Sequence, residues 1–177
     1  MSHELVISVL CPLREDLVPE LTRAITESGC TIRDCRMARL GQHQSVLVRA
    51  AGPWNALAKL DDSLPKLQKG LEIPHLVVER GTETQPAQEL VPYAVDAVCP
   101  DRPGIVAELT GFFAARSIGV LELNTQTYRA HQTGAAMFSV QMNVGLPADV
   151  HIPALREEFM DLCDRLNLDA VIEPIKS

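Results

Sequence analysis

An internal repeat constrains this chain more than any other feature. Cys11-Pro12-Leu13-Arg14 and Cys99-Pro100-Asp101-Arg102 stand 88 positions apart. At the same offset Val18 matches Val106, and Glu20-Leu21-Thr22 matches Glu108-Leu109-Thr110. Agreement of that density calls for two copies of one small unit within the 177 residues.

Both copies spell the same order of elements. In the first, residues 4–10 form an apolar strand. Residues 16–28 form a helix with Leu17, Val18, Leu21, Ala24 and Ile25 on one face, and Gly29 stops it. Residues 30–40 are extended, with Ile32, Asp34, Arg36 and Ala38 facing one way and Cys35 and Met37 the other. A turn at Gly41-Gln42-His43 leads into a strand over residues 44–51. A helix over 53–64 presents Trp54, read as a core anchor, with Leu57, Ala58 and Leu60. Residues 71–79 close the unit as a strand. The second copy has strands at 91–98, 120–129, 135–144 and 168–175, and helices at 105–117 and 153–166. Phe138, Val140, Met142 and Val144 alternate with polar residues, as a sheet with one covered face requires. The result is an α+β chain of two β-α-β-β-α-β units, each an antiparallel sheet with two helices on one face. The boundaries fall at residues 1–80 and 91–177, with a polar linker over 81–90.

Charge and composition remove several classes of function. The formal net charge is −7. It is carried by the second copy, because residues 1–88 hold 10 basic and 11 acidic side chains and residues 89–177 hold 6 and 12. No basic face of the kind that grips nucleic acid is present. No apolar run approaches the roughly 20 residues that span a bilayer. The first residues lack a charged stretch followed by an apolar one, so a cytoplasmic protein is expected. Five cysteines are read as reduced, buried hydrophobes. The five histidines show no metal-ligand spacing, no nucleophile has a base partner, and no phosphate loop appears, so neither an enzyme nor a resident cofactor is expected.

The candidate chemistry lies in residues 98–106, Val-Cys-Pro-Asp-Arg-Pro-Gly-Ile-Val. A strand runs into a turn and then into a helix whose first N–H groups have no partner inside the helix. Such a start can cradle a carboxylate. Gly104 leaves room beside Ile105, Asp101 and Asn124 can meet an ammonium group, and Arg102 can orient an acid. The alternative is structural: Asp101 caps the helix, Pro103 starts it and Gly104 relieves the turn.

The turn Asp101-Arg102-Pro103-Gly104-Ile105-Val106, the Ile118-Gly119-Val120 after the helix and Asn124 in the next strand resemble the ACT domain. The resemblance covers nearly the whole chain as a tandem, and implies two ferredoxin-like units that sense amino acids at domain interfaces. The first copy is similar to a narrower group in residues 28–41, in Gly52-Pro53-Trp54-Asn55-Ala56-Leu57 and in Ser63-Leu64-Pro65. That group is the glycine cleavage system transcriptional repressor family, tandem ACT proteins without a DNA-binding domain. It implies an amino-acid-responsive regulator of transcription that contacts a LysR-type activator, with glycine as the small ligand and a homo-oligomer as the working form. The first loop departs from the pattern. It reads Pro12-Leu13-Arg14-Glu15-Asp16, and of the Asp-Arg-Pro-Gly motif it keeps only the arginine. Asp16 there can cap the helix but opposes a ligand carboxylate, so ligand is expected at the second loop. The competing expectation is a structural adaptor that has lost sensing.

Overall fold

The structure is a computed structural model that describes residues 3–81 and 90–175. The chain divides into two compact units, Met1–Pro86 and Ala87–Ser177. The expected linker falls mostly on 82–89, outside the described residues.

The first unit runs β1 (His3–Pro12), α1 (Leu17–Glu27), β2 (Thr31–Leu40), β3 (His43–Gly52), α2 (Trp54–Gly70) and β4 (His75–Gly81). Its sheet has the order β2-β3-β1-β4, antiparallel throughout. The second unit runs β5 (Leu90–Pro100), α3 (Ile105–Ala114), β6 (Gly119–Arg129), β7 (Ala136–Pro147), α4 (Ile152–Leu166) and β8 (Asp169–Pro174). It repeats the order as β6-β7-β5-β8. Each unit is the expected ferredoxin-like α+β fold.

Helical spacing places the core. α1 buries Leu17, Leu21 and Ile25, and α2 buries Ala56, Leu57, Leu60 and Leu64. These pack against Leu5, Ile7, Val9, Val46 and Val48 of the central strands. In the second unit Phe112 and Phe113 of α3 meet Phe159 of α4, with ring centroids 5.6 and 5.7 Å from Phe159. These two clusters are separate cores.

Four sequence readings change. Trp54 is 68% exposed, so it anchors nothing in the core: Ala56 and Leu57 turn inward and carry it outward on the helix start. α2 continues through Pro65 to Gly70 rather than ending at Leu64. A mid-helix proline costs about 3 kcal/mol, and burial of Leu60 and Leu64 with packing of Leu67 offsets it. α3 ends at Ala114, a turn short of the expected 117. In β2 a bulge between Ile32 and Asp34 inserts a residue, and this flips the faces on either side of it. Ile32 therefore shares the helix side with Cys35 and Met37, opposite the buried Ala50, Val48 and Val46. Asp34 and Arg36 lie on the open side.

Candidate functional site

The second loop leaves the end of β5 with the Asp101 amide donating to the Ala136 carbonyl at 3.0 Å. Asp101, Arg102, Pro103 and Gly104 are exposed, and Ile105 is buried as the first residue of α3. Gly104 is the N-cap, at φ +94°, a left-handed conformation that side chains rarely adopt. A Cβ there would meet no atom within 4 Å, so the glycine answers to backbone geometry and leaves the space above the helix start open. No side chain caps α3. The expected alternative, Asp101 as cap and Pro103 as first helical residue, is not what forms. The cap position belongs to Gly104, and Pro103 lies before it. The structure brings Asp101, Arg102, Pro103, Gly104 and Ile105 together at this helix start.

Arg102 points elsewhere. Its Nη2 donates to the carbonyl of Leu166 at 2.7 Å, at the last residue of α4. Its partner is thus a helix end, where a cation meets carbonyls that have no helical partner. Arg14 makes the matching contact in the first unit, donating to the carbonyl of Leu71, which caps α2. The one loop residue kept in both copies tethers each loop to the end of the second helix.

The first loop is occupied by its own side chains. Arg14 grips Asp16 through Nε at 2.6 Å and Nη2 at 2.8 Å. This bond holds the Asp16 carboxyl below its usual range and raises the already high pKa of Arg14. Asp16 stands at the N-cap yet makes no capping bond, because its carboxylate is taken. Gln44, 1% exposed, donates from Nε2 to the Arg14 carbonyl at 3.0 Å and pins the loop from beneath. Its register partner in β1 is Cys11, and the matching pair in the second unit is Cys99 with Phe138. Sequence reasoning passed over Gln44. The signal was a glutamine at a position where the other copy has an apolar residue.

Asn124 is not beside Asp101. It pairs with Gln141 on the open face of the sheet, whereas Asp101 bonds Ala136, five residues back along β7. At about 3.4 Å per residue the two are about 17 Å apart along the strand. Asn124 instead lines a polar groove of about 240 Å³ with Asp96, Glu122, Gln141 and Asn143. A second cleft, about 460 Å³, borders the loop at Val98, Cys99 and Pro100 and reaches Asn167 and Asp169. The other polar readings are quieter. Cys11, Cys30, Cys99 and Cys163 are buried as expected, but Cys35 is exposed, because it lies on β2, whose residues are all exposed. Burial pushes the Cys163 thiol up to about 11, and raises those of Cys30 and Cys99. His151 caps α4, accepting at Nδ1 from the Ala154 amide at 3.3 Å. Among the described residues no cluster could hold a metal and no helix is long and apolar enough to cross a membrane.

Two β-α-β-β-α-β units with a loop before each first helix can be set against known proteins. The sequence profile of the ACT domain matches residues 3–78. Two solved structures share the fold over the whole chain. A protein provisionally named a glycine cleavage system transcriptional repressor has a TM-score of 0.78 at 24% identity, covering 100% of this chain and 99% of that one. An unknown protein from Galdieria sulphuraria has a TM-score of 0.81 at 19% identity, covering 99% and 100%. An ACT domain is matched in the first unit, and the second unit repeats its fold. The chain's similarity to curated relatives extends along both units. The glycine cleavage system transcriptional repressors of Escherichia coli (strain K12) and Shigella flexneri are each 29% identical over 174 residues, 98% of this chain and 90% of theirs. This chain therefore resembles those repressors over nearly its whole length.

Proposed function

We propose that this chain is a regulatory protein that senses a small amino acid, glycine first among candidates, at its second ACT loop. It acts on transcription by contacting a protein rather than DNA. One observation carries the reading: the two loops are unequal. Gly104 leaves the start of α3 uncapped and open, while Asp16 and Arg14 fill the corresponding place in the first unit. A ligand carboxylate would receive the free N–H groups of α3, and Asp101 would take its ammonium group. Asn124, distant from this loop along its own strand, would contribute only through another surface. Ligand that prefers one packing of the protein shifts the population toward it, and a useful coupling of about 1–3 kcal/mol needs a preference of about 5- to 150-fold. The resemblance to glycine cleavage repressors supports regulation through a LysR-type activator in the cytoplasm, with a homo-oligomer as the working form.

Calorimetry with glycine, serine and larger amino acids tests the sensing half. Binding is expected to the full chain, to vanish in Gly104→Val and to persist in Asp16→Ala. Loss in both variants alike, or no heat with any amino acid, would sink it. Co-purification of a DNA-binding activator that is released by glycine tests the other half. A second reading, a structural adaptor without a ligand, draws on Arg102, which is committed to the end of α4. Melting temperatures unmoved by every amino acid would favour it.

A further inference from the structure

We infer that the first unit holds a small-molecule site of its own, in the cleft between α2 and the ends of β1 and β4, for a free amino acid with an apolar side chain. Trp54, Leu57, Ala58 and Asp61 stand at i, i+3, i+4 and i+7, so α2 turns all four to one side. With Leu5 and Arg80 they line a cleft of about 190 Å³. At about 30 Å³ per water, that is room for about six waters, the size of one small molecule and too little for a segment of chain. Glu4 forms part of the rim, with its carboxylate given to Arg49 at 3.7 Å.

The lining selects the ligand. Leu5 and Leu57 are buried and make an apolar floor, and Trp54, 68% exposed, adds the area of an indole. Arg80 is the register partner of Leu5, on the same side of β4 as Leu76 and Val78, so it reaches toward the helix layer. There its Nη2 donates to Oδ2 of Asp61 at 3.4 Å. A charge-assisted bond is ordinarily about 2.7–2.9 Å, so this pair is loosely held. Among the described residues it leaves the other N–H groups of the guanidinium and Oδ1 of Asp61 free to bond a ligand. An anion alone would be opposed by Asp61, and a cation alone by Arg80. A molecule with a carboxylate and an ammonium group on one carbon satisfies both. An α-amino acid is such a molecule, and its side chain then lies against the leucines and the indole. Glycine has no side chain to place there.

The second unit lacks these groups at the same corner. Leu5 and Tyr93 stand 88 positions apart, and their strand partners are Arg80 and Pro174. A proline replaces the cation, and a bulkier tyrosine replaces the leucine of the floor. The cleft also shares no residue with the loop before α3, so the two sites stand or fall separately.

Trp54 is the single tryptophan of the chain, so its emission reports on this cleft. Titrating the full-length chain with leucine is expected to change that emission saturably. Leucinamide lacks the carboxylate and isocaproate lacks the ammonium group, and each is expected to bind at least about tenfold more weakly. Glycine is expected to give no saturable change. Arg80→Ala and Asp61→Asn are each expected to raise the Kd for leucine about tenfold. Gly104→Val is expected to leave it unchanged, which separates this cleft from sensing at the second loop. Circular dichroism establishes that each variant is folded. No saturable change with leucine, methionine or phenylalanine overturns the inference. So does binding that is as strong for isocaproate or leucinamide, that survives both Arg80→Ala and Asp61→Asn, or that is lost in Gly104→Val.

Discussion

Asp16 is a carboxylate whose folded-state pKa lies below its ordinary value, first because Arg14 donates to it. A group depressed in this way stabilises the fold at every pH above its unfolded value, and that contribution disappears as pH falls through the folded value. The first unit should therefore weaken on acidification below about pH 4. Both partners sit near solvent, so the effect is modest. Denaturant midpoints measured between neutral pH and pH 3 should fall less steeply in Asp16→Asn than in wild type. An identical pH slope in the two proteins would mean that the Arg14–Asp16 contact adds nothing. At this scale the repeat was legible and its meaning was not. The kept arginine looked like a ligand contact. In both units its guanidinium reaches the end of the second helix of its own unit, a position 57 residues away in one case and 64 in the other. Nothing local in the sequence announces a bond over that distance.

Among the elements, the loop, α3 and α4 are tied together in the second unit. Arg102 ties the loop to the last residue of α4. Arg116 ties the end of α3 to Glu158 of α4 through Nε at 2.8 Å, and its guanidinium lies 3.7 Å from the Phe112 ring centroid. Removing the first tie with Arg102→Ala should cost about 1 kcal/mol in urea denaturation, since a charged donor is lost from an exposed carbonyl. It should also raise amide exchange over residues 101–108 while leaving residues 12–20 unchanged. Unaltered exchange in the second loop would show that the tether does not restrain it. Helix existence and type followed from spacing. Helix ends did not, because Pro65 reads as a stop and is overridden by the leucines packed on either side of it. The faces of β2 were misread at one end for a similar reason: a bulge has no reliable sequence mark, and a single inserted residue reverses the pattern.

At the scale of the molecule, the described residues form two hydrophobic clusters, one per unit. Phe159 is fully buried between Phe112 and Phe113. Phe159→Ala should leave a cavity and cost about 3–5 kcal/mol, a large share of what a unit of this size has available. Hydrogen exchange is the readout. Protection should collapse first over residues 90–175, and the calorimetric transition should broaden or split, as two-unit proteins permit. A single transition shifted as one, with protection lost equally over residues 3–81, would mean that the units unfold together.

The sequence by itself determined the repeat, the α+β class, the order of elements and which loop keeps its full motif. Those follow from periodicity and from residues three or four apart, which act on each other locally. Tertiary structure decided what the loop residues touch. It sent Arg102 to α4, closed the first loop with Asp16 and Gln44, and put Asn124 on the far side of a sheet from the helix start. It also turned Trp54 outward and left β2 bare on both faces. Each of these outcomes depends on strand register and on contacts between elements far apart in the chain, and a difference of one residue in register is enough to reverse them.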